Sequence, residues 1–269
     1  MRTVVTYAVS ETAPYINWPY FFYAWGMRTA GEKDKNALRQ EAERLLTEWE
    51  GKYEMRAVFA LCEAVGDGDD ILLADQRLPM LRQQHDDAGR PNLCLADFVR
   101  PAGDKMKDHI GLFAVTAGEA EAESGDDYRR MLARTLADRL AEAATERLHE
   151  AVRKSLWGYC PDEHSSMADL LAGHYQGIRP AVGYPSLPDM SLNFLLDECL
   201  NMGDIGIRLT ENGMMRPHAS VSGLMFAHPK ARYFDVGTIG EDQLADYARR
   251  RNLPRETVGK FLARNLMKV

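Results

Sequence analysis

No apolar run in this chain of 269 residues approaches the roughly 20 needed to cross a bilayer, which removes a membrane-spanning helix from consideration. The opening, MRTVVTYAVSETAP, has one Arg and no apolar h-region, so it does not read as a secretion signal. Cysteine is scarce. Cys62, Cys94, Cys160 and Cys199 lie far apart with no CxxC pair, a pattern expected of reduced, packed thiols in a cytoplasm rather than of structural zinc or a redox couple. Positive charge is in deficit: 33 Lys and Arg face 40 Asp and Glu, a net of -7. Nucleic acid is therefore not expected as a partner, because phosphate binding needs a positive surface. There is no P-loop, no GxGxxG behind a strand, no HExxH and no GxSxG. The seven histidines stand singly, and a lone His is more often packed or at the surface than a ligand. Neither a hydrolase nor a metal site follows from motifs alone.

What is present is an ordinary globular balance, 45% hydrophobic and 27% charged, sufficient for a substantial core. Strands are predicted at 3–9 (TVVTYAV), 55–65 (MRAVFALCEAV), 92–100 (NLCLADFVR) and 109–118 (HIGLFAVTAG). DGDD at 67–70 supplies a hairpin turn before ILLA, and the aromatic cluster from Tyr15 to Trp25 is too apolar to leave in water. Leu38, Ala42, Leu45, Leu46 and Trp49 recur on one face of a helix over 35–50. A longer helix runs from Asp127 to about Trp157 on Met131, Leu132, Leu136, Leu140, Leu148 and Val152, with Ser124 or Asp126 as its cap. Arg134, Asp138 and Glu142 follow one another at intervals of four, a spacing that allows Arg134 to pair with Asp138 along its surface. A helix near 191–200, a strand pair containing 207–210 (IRLT) and 220–227 (SVSGLMFA), a further segment at 232–239 (RYFDVGTI) and short terminal helices complete the chain. Strands and helices mix without regular β-α alternation. We therefore expect an α+β fold in one domain, residues 1–269.

The loop GIRPAVGYPSLPD, 177–189, sets one Arg into a segment stiffened by Pro180, Pro185 and Pro188, with Gly183 allowing close backbone approach. A rigid Arg suits bidentate recognition of a carboxylate or phosphate. A structural crossover carrying a surface Arg accounts for the same residues. DDYRRMLARTLADRLAEAATERLHEAVRK, WGY, YQGIRPAVGYP, ASVSGLMFAHPKARYF and DQLADYARRR, preceded by YINWPYFF and NLCLADFVRP, fall in a fixed order between residues 14 and 265. Together they resemble the activation domain of cobalamin-dependent methionine synthase, and RPAxGYP with ASVSG is a specific combination.

That resemblance implies an antiparallel sheet with flanking helices and a shallow groove for S-adenosylmethionine (AdoMet). It also implies a cobalamin-binding methionine synthase domain or subunit as partner, met in cis or in trans. The resemblance further implies flavodoxin or another one-electron donor as the source of the electron when the partner's cobalamin is remethylated, so that the chain alone is not expected to be a complete enzyme. Arg179 matches the arginine that holds the AdoMet carboxylate, and Pro180, Ala181, Gly183 and Tyr184 would shape the groove. Tyr233 and Phe234 match paired aromatic contacts, although strand packing explains Phe234 as well. Asp138 and Glu142 match positions that face the docked cobalamin module. With His149 they read equally as a solvated helix face. No catalytic residue is implied, because positioning two reactive partners is the task.

The sequence departs from the family in places. Asn17 stands where an acid usually contacts AdoMet. Asn accepts a hydrogen bond but cannot neutralise an ammonium, a loss worth about 1–3 kcal/mol. Gly173 replaces a frequent Glu, Met190 a common His, and Arg216 and His218 a smaller or more apolar pair. The alternative expectation is thus a diverged, non-catalytic docking subunit that no longer binds AdoMet, with the departures gathered at the ligand groove. An independent small-molecule methyltransferase would want a general base, and none is recognisable.

Overall fold

A computed structural model describes residues 1–85, 89–118 and 126–266; the candidate cap Ser124 lies outside them. Before the long helix come β1 (Arg2–Ala8), α1 (Val9–Thr12), α2 (Trp18–Ala24), α3 (Glu32–Trp49), β2 (Glu54–Asp67), β3 (Asp70–Leu72), β4 (Arg77–Pro79) and β5 (Asp108–Thr116). That helix is α4 (Asp127–Ala151), followed by α5 (Met167–Ala172), α6 (Leu192–Leu200), β6 (Arg208–Leu209), β7 (Met215–Arg216), β8 (Ser220–Met225), α7 (Glu241–Arg251) and α8 (Arg255–Phe261).

β2 organises the sheet. β5 pairs along one edge of it, while β1 and then β3 share the other. The six-stranded antiparallel sheet has the order β4-β3-β2-β5-β8, with β1 also on β2. Alternate residues of β2 and β5 serve opposite faces. Met55, Ala57, Phe59, Phe113 and Val115 pack under α3 and α4. Val58, Ala60, Leu112 and Ala114 pack under α6. Burial on both sides explains why 109–116 reads as a nearly unbroken apolar run rather than an alternating one. Asp126 caps α4 by accepting the Tyr128 N–H at 3.0 Å, and the helix ends in a single π-helical turn, Val152–Leu156.

Three expectations need correction. NLCLADFVR is not a strand: Leu95–Phe98 is a 3-10 turn, closed by the Asp97 carboxylate accepting the Cys94 N–H at 2.8 Å. Residues 207–210 do not pair with 220–227. Arg208 and Leu209 pair with Arg216 and Met215, while β8 completes the main sheet against β5. The segment RYFDVGTI, to which the sequence assigns no element, carries no regular element among the described residues apart from one bridge at Ile239. The row Arg134, Asp138 and Glu142 does not pair within itself: Asp138 meets His218 at 3.2 Å and Glu142 meets Arg139 at 2.8 Å. Of the aromatic cluster, Phe21 is fully buried, whereas Tyr20 and Tyr23 stand exposed.

Candidate functional site

Residues 178–182 lie along the outer edge of β8 as a short strand-like stretch, and 183–187 fold back in a turn closed between Tyr184 and Leu187. Ile178 and Phe226 exchange N–H···O bonds at 3.0 and 2.9 Å, Leu224 N–H donates to the Pro180 carbonyl at 3.0 Å, and Val182 N–H to Ser222 at 2.9 Å. Gly223 makes this approach possible. A Cβ there would sit 2.2 Å from the Pro180 oxygen and 2.9 Å from the Ala181 Cα, so the glycine of ASVSG is a backbone-contact requirement. The far end of the segment is tied to α7, where the buried Tyr247 hydroxyl donates to Asp189 at 2.8 Å.

Between this edge and α4 opens a cavity of about 940 Å³. Its helix wall is Arg139, Glu142, Thr145 and Glu146, and its floor is Phe113 and Val221 of the sheet. Arg179, Pro180, Ala181 and Tyr184 form the opposite wall, with Tyr233, Phe234 and Asp235 closing one side. Tyr20 and Tyr184, both more than half exposed, stand at the rim.

Arg179 sits in a built environment. Its Nη2 donates to Glu146 Oε2 at 2.5 Å and its Nη1 to the Tyr175 hydroxyl at 2.8 Å, and its own N–H donates to the Tyr233 hydroxyl at 3.0 Å. The guanidinium is therefore paired inside its own chain, yet it borders an open cavity and has further N–H groups unused. Burial opposes its charge, but Tyr175, Glu146 and Tyr233 outweigh that and hold it above the usual arginine range. Burial pushes the Glu146 carboxyl upward, against the pull of Arg179 and Arg153.

A second layer lies beneath. Arg153, wholly buried, makes a two-pronged pair with Glu163 at 2.6 and 2.8 Å and stacks over the Tyr175 ring at 3.9 Å. His149 is also wholly buried, edge-on to Tyr175 and 3.3 Å from the Tyr159 hydroxyl. Desolvation first, then Arg179 and Arg153, hold its pKa well below the usual imidazole range. His149 is thus no part of a solvated docking face.

Of the residues singled out by sequence, Arg179, Pro180, Ala181, Tyr184, Tyr233, Phe234 and Glu142 come together at the cavity. Gly183 does not line it; a Cβ there would meet Met190 Sδ at 2.5 Å, so it serves packing behind the wall. Asn17 does not line it either, and its carboxamide caps α2 by accepting the Tyr20 N–H at 3.3 Å. Asp138 sits one turn of α4 away, beside His218. The departures do not gather at the groove: Gly173 borders the cavity, whereas Asn17, Met190, Arg216 and His218 do not. Sequence reading missed Glu146 and Tyr175. The available signal was the spacing Asp138, Glu142, Glu146, which carries one polar row along α4 into the core.

Two comparisons bear on this geometry. The model of the family described as vitamin B12 dependent methionine synthase, activation domain, matches residues 8–252. Among solved structures, a crystal structure of the MetH reactivation domain bound to AdoHcy is similar with a TM-score of 0.94 and 36% sequence identity, over 100% of this chain and 91% of that one.

Proposed function

The chain belongs to the activation domain family of vitamin B12 dependent methionine synthase, and from that premise we propose that it binds AdoMet in the cavity between α4 and residues 178–187. It there presents the methyl group to reduced cobalamin on a methionine synthase partner. The observation that carries this reading is a charged, doubly anchored guanidinium at the wall of an open cavity beside an aromatic strip. The solved relative holds AdoHcy, the demethylated form of the same ligand. The cavity volume falls in the range of small-molecule sites, roughly 300–1,000 Å³.

Arg179 takes the ligand carboxylate with its free N–H groups, and Tyr233 and Phe234 seat the nucleoside and shield the sulfonium. Pro180, Ala181 and Tyr184 shape the opposite wall, while Gly183 and Asn17 act indirectly, through Met190 packing and the α2 cap that positions Tyr20. AdoMet supplies the methyl group and the partner's cobalamin the nucleophile; this chain's part is placement. Asp138 and Glu142, with the exposed Tyr20 and Tyr184, form the surface on which the cobalamin module docks. The electron comes from flavodoxin or a similar one-electron donor.

We place this work in the cytoplasm, in keeping with four free thiols, no helix among the described residues long and apolar enough to span a membrane, and an acidic balance unsuited to nucleic acid. Residues 1–269 act as one unit, α7 being joined to the β4 region through Arg250 and Gln243.

Mixing the chain with a methionine synthase cobalamin module in the cob(II)alamin state, AdoMet and a one-electron donor tests the proposal. The absorption spectrum is expected to convert to methylcobalamin only when all are present. A spectrum that stays cob(II)alamin while AdoMet is bound contradicts it.

A further inference from the structure

We propose that Glu146 receives the ammonium of the bound amino-acid moiety, so that Glu146 and Arg179 together read a zwitterion. This rests on the AdoMet-binding reading above. Glu146 is 5% exposed and lies in the cavity wall, two turns along α4 from Asp138. Its Oε2 takes Arg179, while its Oε1 is buried with no hydrogen-bond partner among the described residues. An ionised carboxylate this deep needs its lone pairs used, because solvent cannot supply the missing bond.

The other cavity acids are already engaged. Glu142 accepts from Arg139 at 2.8 Å and Asp235 from the Gly237 N–H at 2.8 Å. Glu146 alone among them touches Arg179. An α-amino acid carries its carboxylate and ammonium on one carbon, so its receptor must set a positive and a negative group side by side. Arg179 and Glu146 are such a pair. The site then selects ligands bearing both charges and discriminates against nucleosides that lack either. Two nearby buried atoms, Arg153 Nη1 and His149 Nδ1, also lack partners among the described residues and offer the rival use of Oε1, an internal network closed without the ligand.

Calorimetric titration of the full chain with AdoHcy and with its desamino analogue, which has hydrogen in place of the amine, separates the two. Wild type is expected to prefer AdoHcy by about tenfold to a hundredfold, the worth of one charge-assisted bond. Glu146→Gln is expected to weaken AdoHcy by that factor and to leave the desamino analogue within about twofold. Equal weakening of both ligands, or of neither, overturns the proposal, since Glu146 then acts through Arg179 or not at all. Equal affinity of wild type for both ligands overturns it without any variant. If wild type binds neither ligand, the AdoMet-binding reading itself falls.

Discussion

Gly223→Ala probes how the Arg179 segment is held. An alanine Cβ at this position would lie 2.2 Å from the Pro180 oxygen, 2.9 Å from the Ala181 Cα and 3.0 Å from Phe113 Cε1. Carbon contacts relax near 3.5 Å, so the two backbones must part by about 1 Å. β8 cannot retreat, because Gly223 is paired with Phe113 of β5 on its other side. The 178–187 segment therefore yields, and the flanking bonds Leu224 N–H to Pro180 and Val182 N–H to Ser222 are lost. Two such bonds at about 0.5–1.5 kcal/mol each, plus buried groups left unpaired at about 1–3 kcal/mol, give a destabilisation of about 2–6 kcal/mol. With a urea slope of about 3 kcal/mol/M, the unfolding midpoint is expected to fall by about 1 M. AdoHcy affinity should fall with it, since Arg179 moves with the segment. Urea unfolding followed by circular dichroism, with calorimetry below the transition, reads both. A variant that unfolds within about 0.5 kcal/mol of wild type and binds AdoHcy equally refutes the close-approach account.

Other perturbations reach different parts of the structure. His149 is buried uncharged, so the unfolded chain takes up a proton below about pH 6.5 that the native state refuses; stability should fall with pH by up to about 1.4 kcal/mol per unit. Glu142 and Glu146, whose carboxyls burial pushes upward, contribute the opposite slope at lower pH, so the comparison is wild type against His149→Gln between about pH 6.5 and 5.5. Loss of the slope in the variant is expected, and identical slopes would count against it. Asp138→Lys should weaken docking of the cobalamin module while leaving AdoHcy calorimetry unchanged, because Asp138 lies outside the cavity; unchanged docking removes Asp138 from the interface. Gly259→Ala in α8 meets, among the described residues, only Leu266 Cδ1, at 3.8 Å, and should stabilise the fold by about 0.5–1 kcal/mol through helix propensity, checked by the same urea curves.

Much of the fold is legible in the sequence because its longest elements carry strong periods. α4, α3, β2 and β5 stand where spacing places them, and the hairpin closes between Asp67 and Asp70. The misread and unassigned stretches occur where side chains replace the backbone ladder. Asp97 bends an apolar run into a turn, and the Ser186 hydroxyl and the Arg179 N–H hold residues 233 and 234 without a partner strand. The site is legible at Arg179 because proline and glycine announce a rigid bend. Its partner is not, because Glu146 is 33 residues away and shares its spacing with the half-buried Asp138 and Glu142. Tertiary packing alone separates a solvated acid from a buried one.

Titration of AdoMet into wild type and Arg179→Ala by calorimetry tests the central claim most directly. Removing the guanidinium deletes the carboxylate grip, a loss expected to cost about 2–5 kcal/mol, or roughly thirtyfold and more in affinity. Saturable heat from wild type and little from the variant is the predicted result. Equal heats from both would contradict an AdoMet site built on Arg179.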